Sequence, residues 1–149
     1  MKHMETINVS YASYPNGATT PILVLPTCKG TIVIPVQHII RIQSISNYSK
    51  LFFSNGKSLV VAKVLHWFEE QSCLYSFVRI HRTHFINTGH IKSYSRGKTG
   101  LLFLHNGEII SVAKRKKAGI TQRLNNLNNS FVAESNSSSM IGTKKNLAT

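Results

Sequence analysis

Gly100-Leu101-Leu102-Phe103-Leu104-His105-Asn106-Gly107-Glu108-Ile109-Ile110-Ser111-Val112 consists of two short apolar runs divided by Asn-Gly. A tight type I′ turn needs positive φ at both central residues, and Asn-Gly tolerates that best. The stretch therefore predicts a β-hairpin, with strands at 100–105 and 108–112. A second hairpin is predicted where Asn55-Gly56 divides 50–53 from 58–61. Working outward, runs rich in Val, Ile, Phe and Tyr mark further strands at 21–25, 31–36, 39–45, 77–80, 85–87 and 91–95. Helical patterning is scarce. Val61, Leu65 and Phe68 share a helical face over 61–71, with Trp67 and Phe68 assigned to packing. Ile120, Leu124 and Leu127 do the same in a segment running from Lys114 to about Asn126. The fold class is mostly β, with small antiparallel sheets and one or two short helices.

The ends read differently. Residues 1–20 are polar and mixed, with a turn at Pro15-Asn16-Gly17, and are expected to form a loosely held leader. From 128 to 149 the chain is rich in Asn and Ser and is expected to be disordered. The folded domain is then 21–127. No run approaches the roughly 18 apolar residues that span a bilayer, and no secretory signal is visible, so a cytoplasmic location is expected. Cys28 and Cys73 are too few for a disulfide scaffold and read as buried, reduced thiols.

Charge dominates the composition. Eighteen Lys and Arg face five Glu and no Asp, for a net charge of +13. That excess calls for a polyanionic partner, with nucleic acid first and an anionic membrane surface second. The same inventory argues against an enzyme. Asp-based triads are impossible, Glu69 and Glu70 are adjacent rather than facing, and no phosphate-cradling glycine loop is present. No cofactor, metal or small-molecule substrate is implied. His81 and His84 are read as lying along one strand, where residues three apart point to opposite faces and make a poor zinc pair.

Three basic clusters remain: Lys114-Arg115-Lys116-Lys117, Arg79-His81-Arg82-His84, and Lys92-Arg96-Lys98. The first opens a predicted helix, where cations oppose the helix dipole unless a phosphate joins them. A solvated charged face is the alternative.

These residues resemble a known family. Ile39-Ile40-Arg41-Ile42-Gln43-Ser44-Ile45-Ser46-Asn47-Tyr48 is similar to the opening motif of LytTR-type DNA-binding domains. Phe77-Val78-Arg79-Ile80-His81-Arg82-Thr83-His84-Phe85-Ile86-Asn87 resembles the family's most recognisable segment. His90-Ile91-Lys92 and Ile110-Ser111-Val112-Ala113-Lys114-Arg115 follow in order. Gln43, Ala113 and His84 stand where Glu, Ser and Tyr are common. The resemblance implies an elongated set of small sheets that reads double-stranded DNA through loops, in a stand-alone form. It also implies paired, directly repeated half-sites and a dimer on DNA. Base contacts are expected from Ser49, Arg82, Lys114 and Arg115. Phosphate or positioning roles are expected for Tyr48, Lys50, Arg79, His81, Lys116 and Lys117. His81 is favoured as a brace for its strand, and Asn47 as a turn stabiliser. An RNA-binding β-domain and a basic protein-interaction module are the competing readings.

Overall fold

The computed structural model describes residues 9–138, with side chains to residue 128. Three antiparallel sheets carry the fold. β1 (Tyr11–Ser13), β2 (Thr19–Thr27) and β3 (Gly30–Pro35) form the first in chain order. The central sheet contains β4 (Ile39–Ile45), β5 (Tyr48–Phe53), β6 (Ser58–Val61), β7 (Phe77–His81) and β8 (His84–Asn87), in the order β6-β5-β4-β8-β7. The third has β10 (Gly100–Leu104) between β9 (Ile91–Ser95) and β11 (Ile109–Val112). Helix α1 (Leu65–Glu69) joins β6 to the β7–β8 hairpin, and α2 (Lys117–Ser138) follows β11.

The central sheet is buried on both faces. Leu23, Leu25, Ile34, Ile39, Ile42, Leu51, Phe68 and Phe85 form one core between it and the first sheet. Ile40, Ile80, Ile86, Leu102, Leu104 and Ile120 form a second core with the third sheet and α2. Successive residues of one strand point to opposite faces, so Ile39 and Ile40, like Phe85 and Ile86, serve different cores. A register shift between Ile39 and Arg41 lets Ile39 and Ile42 share a core although they are three apart. Each such side chain contributes about 1.5–3 kcal/mol on burial.

Both predicted Asn-Gly hairpins form, but with a different turn. Gly56 N–H donates to the Phe53 carbonyl and Phe53 N–H to that of Lys57, and Gly107 with Leu104 repeats the pattern. Only the glycine of each pair has positive φ, 88° at Gly56 and 96° at Gly107. The asparagine instead accepts the second-next N–H through its side chain, from Lys57 at 2.9 Å and from Glu108 at 3.0 Å. These are three-residue loops with a glycine bulge, not two-residue type I′ turns. Pro15-Asn16-Gly17 builds a third copy, with Gly17 at φ 87°. That copy joins β1 to β2, so part of the expected leader is folded: Tyr11 to Ser13 pair with Pro21 to Thr19.

Other expectations change as well. Helix α1 is five residues long because Val61 ends a strand and Val64 is still extended. Val61, Leu65 and Phe68 are all buried, so a strand end and a short helix together imitate one helical face. Trp67 packs edge-on against Phe68 at 5.0 Å, in keeping with the packing role. Helix α2 runs to Ser138, past the expected end near 126 and into the segment expected to be disordered. Once Ile120 and Leu124 anchor its first turns on the core, each further residue adds to an existing nucleus. Residues 1–8 and 139–149 lie outside the described residues. Cys73 is buried, but Cys28 is exposed at the tip of the β2–β3 hairpin, beyond the reach of the core. No helix among the described residues is long and apolar enough to cross a membrane.

Candidate nucleic-acid interface

Sheet register brings distant segments to one end of the central sheet. Ile45 pairs with Tyr48, so Ser46-Asn47 is a two-residue turn, with Ser46 at φ 56°. Gln43 pairs with His84, and Ser44 N–H donates to the Thr83 carbonyl at 2.9 Å. The β4–β5 and β7–β8 turns are therefore neighbours. Ala113 N–H donates to the Ile80 carbonyl at 2.9 Å, which ties the start of the basic run to the end of β7. Strands lie about 4.8 Å apart, so the row from Tyr48 through Arg82 to Lys114 spans about 20 Å.

The β7–β8 turn is heavily braced. Arg79 Nε donates to the His81 carbonyl at 2.9 Å and Nη2 to the Arg82 carbonyl at 2.6 Å, while Nη1 meets Glu69 at 2.5 Å. His81 Nδ1 accepts the Thr83 backbone N–H at 3.2 Å. Thr83 Oγ1 lies 2.9 Å from both His81 Nδ1 and His84 Nδ1. His81 thus braces its turn. The two histidines are cross-strand partners with ring centroids 5.8 Å apart, not residues on opposite faces of one strand. The two-residue reversal at Arg82-Thr83 is the reason. Burial, then the nearby Arg41 and His81, push His84 down to about 4, so it is uncharged near neutrality. Among the described residues no group of three His, Cys, Asp or Glu is placed to hold a metal ion.

Most of the recognisable motif is scaffold. Asn87 is buried, donating to the Ile39 carbonyl at 2.9 Å and accepting from Ser76 Oγ at 3.0 Å and Gly89 N–H at 3.1 Å. Arg79 and His81 are spent on the turn. Arg82 differs from them: its side chain is exposed, with no partner among the described residues.

The other expected site residues divide. Lys114, Arg115 and Lys116 form a 3-10 turn ahead of α2, and all three are exposed. Lys117 is already engaged, its Nζ donating to the Lys98 carbonyl at 2.5 Å. Tyr48 is half exposed beside the β4–β5 turn. Lys50 lies with Nζ 5.2 Å from the Phe52 ring centre, partly spent on that face. Ser49 is a correction. It is not in a loop but in β5, fully buried, and its hydroxyl donates to the Lys63 carbonyl at 2.6 Å. A side chain so placed does not reach a base. Lys63 stands at the same sheet end next to Tyr48, its Nζ 4.9 Å from the Trp67 ring centre. No motif marked it; only the pairing of Ser49 with Val61 places it there.

The described carboxylates are occupied elsewhere. Glu69 meets Arg79 and His66, Glu70 meets His66, and Glu108 meets Arg41. Among the described residues none of these carboxylates meets Arg82, Lys114, Arg115 or Lys116.

No match is found among curated proteins. One similar solved structure is described as the LytTr DNA-binding domain of a methyl-accepting/DNA response regulator from Bacillus cereus. It superposes with a TM-score of 0.59 at 24% identity, covering 69% of this chain and 95% of that one, a likeness of fold. The family model for the LytTr DNA-binding domain matches residues 29–125, and the chain belongs to that family.

Proposed function

We propose that the chain is a transcriptional regulator that binds double-stranded DNA sequence-specifically, reading the major groove through turns at one end of its central sheet. The observation that carries this reading is Arg82: a free guanidinium on a turn that Arg79, His81 and Thr83 hold in place. A planar five-donor group suits bidentate contact with guanine N7 and O6. Lys114 and Arg115 flank it and share the base-reading role. Lys116 and Tyr48 suit phosphate contacts, which position without specifying. Of the aromatics exposed among the described residues, Tyr11, Tyr14, Tyr48 and Tyr75, Tyr48 stands at the basic end, and a single ring is a poor stacking platform for unpaired RNA bases. Occupancy of two directly repeated half-sites, one copy on each, belongs to the same reading and rests on the family resemblance.

The test pairs two variants on two duplexes, one selected from a random pool by the wild-type protein and one scrambled. Arg82→Ala is expected to weaken the selected duplex by about 1–3 kcal/mol and to leave the scrambled one nearly unchanged. Lys116→Ala is expected to weaken both equally and to lower the salt slope by about one counterion. Wild-type protein with no preference between the duplexes would overturn the regulator reading.

A further inference from the structure

Beyond the three segments already described, a fourth basic element lies at the same end of the molecule. β10 begins at Gly100, which pairs with Val112, the residue just before the Ala113 tie to β7. The β9–β10 turn, residues 96–99, is therefore the lateral continuation of the row that holds Arg82 and Lys114. The structure secures this turn to the basic run itself. Lys117 Nζ reaches the carbonyls of Lys98 at 2.5 Å and Gly97 at 3.5 Å. Beneath it, Gly100 sits so close to Tyr94 that a Cβ there would fall 3.0 Å from the phenol oxygen. Lys117 thus ties the turn to the basic run, and Gly100 is needed where the chain passes Tyr94. Arg96 and Lys98 are exposed upon it, and their side chains have no partner among the described residues.

From this placement we propose that Arg96 and Lys98 form an auxiliary phosphate-contact surface, which engages duplex DNA flanking the segment met by Arg82 and the 114–116 run. The proposal rests on the DNA-binding reading above and extends its footprint. Several features favour a phosphate backbone as the partner. The two cations have no carboxylate partner among the described residues, and their turn stands next in line to the basic run. Their turn is held by a lysine whose ammonium donates to its carbonyls. Each strand spacing of about 4.8 Å corresponds to one or two steps of the 3.4 Å rise along a DNA strand, so the turn overhangs a few nucleotides beyond the site. Phosphate contacts carry no base preference, so the flank contributes affinity and not specificity.

The experiment uses the full chain and two lengths of the duplex selected by wild-type protein: one trimmed to the footprint boundary of the R96Q/K98Q variant, the other extended by several base pairs on each side. Wild type is expected to bind the longer duplex more tightly. Arg96→Gln with Lys98→Gln is expected to remove that advantage, a loss of about 10–30-fold near 0.15 M salt for two phosphates, with the salt slope falling by about two counterions. On the trimmed duplex variant and wild type should match, and unchanged thermal unfolding confirms that both are folded. Undiminished binding to the long duplex overturns the proposal, as does an equal loss on both lengths. Failure of the regulator reading looks different. Wild type would then show no preference for the selected over a scrambled duplex of the same length, whatever the variant does.

Discussion

Two arginines in this chain are each held against a glutamate, and comparing them separates architecture from display. Arg41 is 8% exposed and lies flat on Phe52, 3.7 Å from the ring centre. Its Nε and Nη2 meet both oxygens of Glu108 at 2.9 Å, and Nη1 donates to Gln43 at 2.9 Å. This fork joins the central sheet to the β10–β11 turn, 67 residues away in sequence. Arg79 is more open, and only one of its nitrogens meets a carboxylate; the others hold the carbonyls of residues 81 and 82. The first cluster joins two sheets. The second shapes one turn and thereby aims the neighbouring Arg82. The same chemistry serves either end according to burial and to whether the acceptors are remote or local.

Splitting the first cluster should have the largest effect on stability. Glu108→Ala leaves a buried guanidinium without its anion and is expected to cost about 2–3 kcal/mol. That lies below the full cost of splitting a buried pair because the carboxylate end is a third exposed. Denaturant unfolding measures this, and DNA binding by the remaining folded protein should be near normal. A loss below about 0.5 kcal/mol would reduce the fork to an ordinary surface pair.

Arg79→Ala is the counterpart, expected to cost about 1–2 kcal/mol from hydrogen bonds to a charged group. Its distinguishing result is a disproportionate loss on the selected duplex, as Arg82 loses its fixed presentation. Arg79→Lys should not rescue, because a single ammonium does not reproduce the fork. Rescue by lysine would show that charge alone was needed.

Acid separates the clusters in another way. His84 lies between them, with a folded value of about 4 against an ordinary 6.5. The unfolded chain takes up the proton first, so this group's effect on stability is absent above about pH 6.5. Stability then declines as pH falls toward 4, by about 1–2 kcal/mol after discounting for solvent screening. Arg41 holds the Glu108 carboxyl below its usual 4.5, so that group's contribution is present above 4.5 and is lost only in stronger acid. His84→Gln should flatten the pH 4–6.5 slope and leave the acid limb intact. An unaltered slope would assign the decline to other groups.

The smallest effect concerns Ser49. Ser49→Ala removes a buried hydroxyl and its hydrogen bond to the Lys63 carbonyl, and it should cost about 1 kcal/mol with DNA affinity unchanged. A specific loss of binding would return Ser49 to the interface.

The strands were legible because their apolar runs are short and bounded. Expectations for 39–45, 58–61 and 91–95 coincide with β4, β6 and β9. The β1 strand was not, since Tyr11-Ala12-Ser13 has no apolar run and forms by pairing with β2. At the site, the basic run and Arg82 were readable as charge. The motif's Arg79 and His81 looked equally available, and only their hydrogen bonds show that they are spent.

By itself, then, the sequence determined composition-level facts: a mostly β, strongly basic chain, with hairpins at its Asn-Gly pairs and a motif order that indicates one family. Those follow from local propensity and from charge, which need no neighbours. Tertiary structure decided which cations are free. Ser49, Arg79 and Lys117 found partners at residues 63, 69 and 98, which only the folded chain brings to them, while Lys50 rests against Phe52, two residues along its own strand. Hydrogen-bond satisfaction is a property of the assembled surface, so availability for DNA is settled only there.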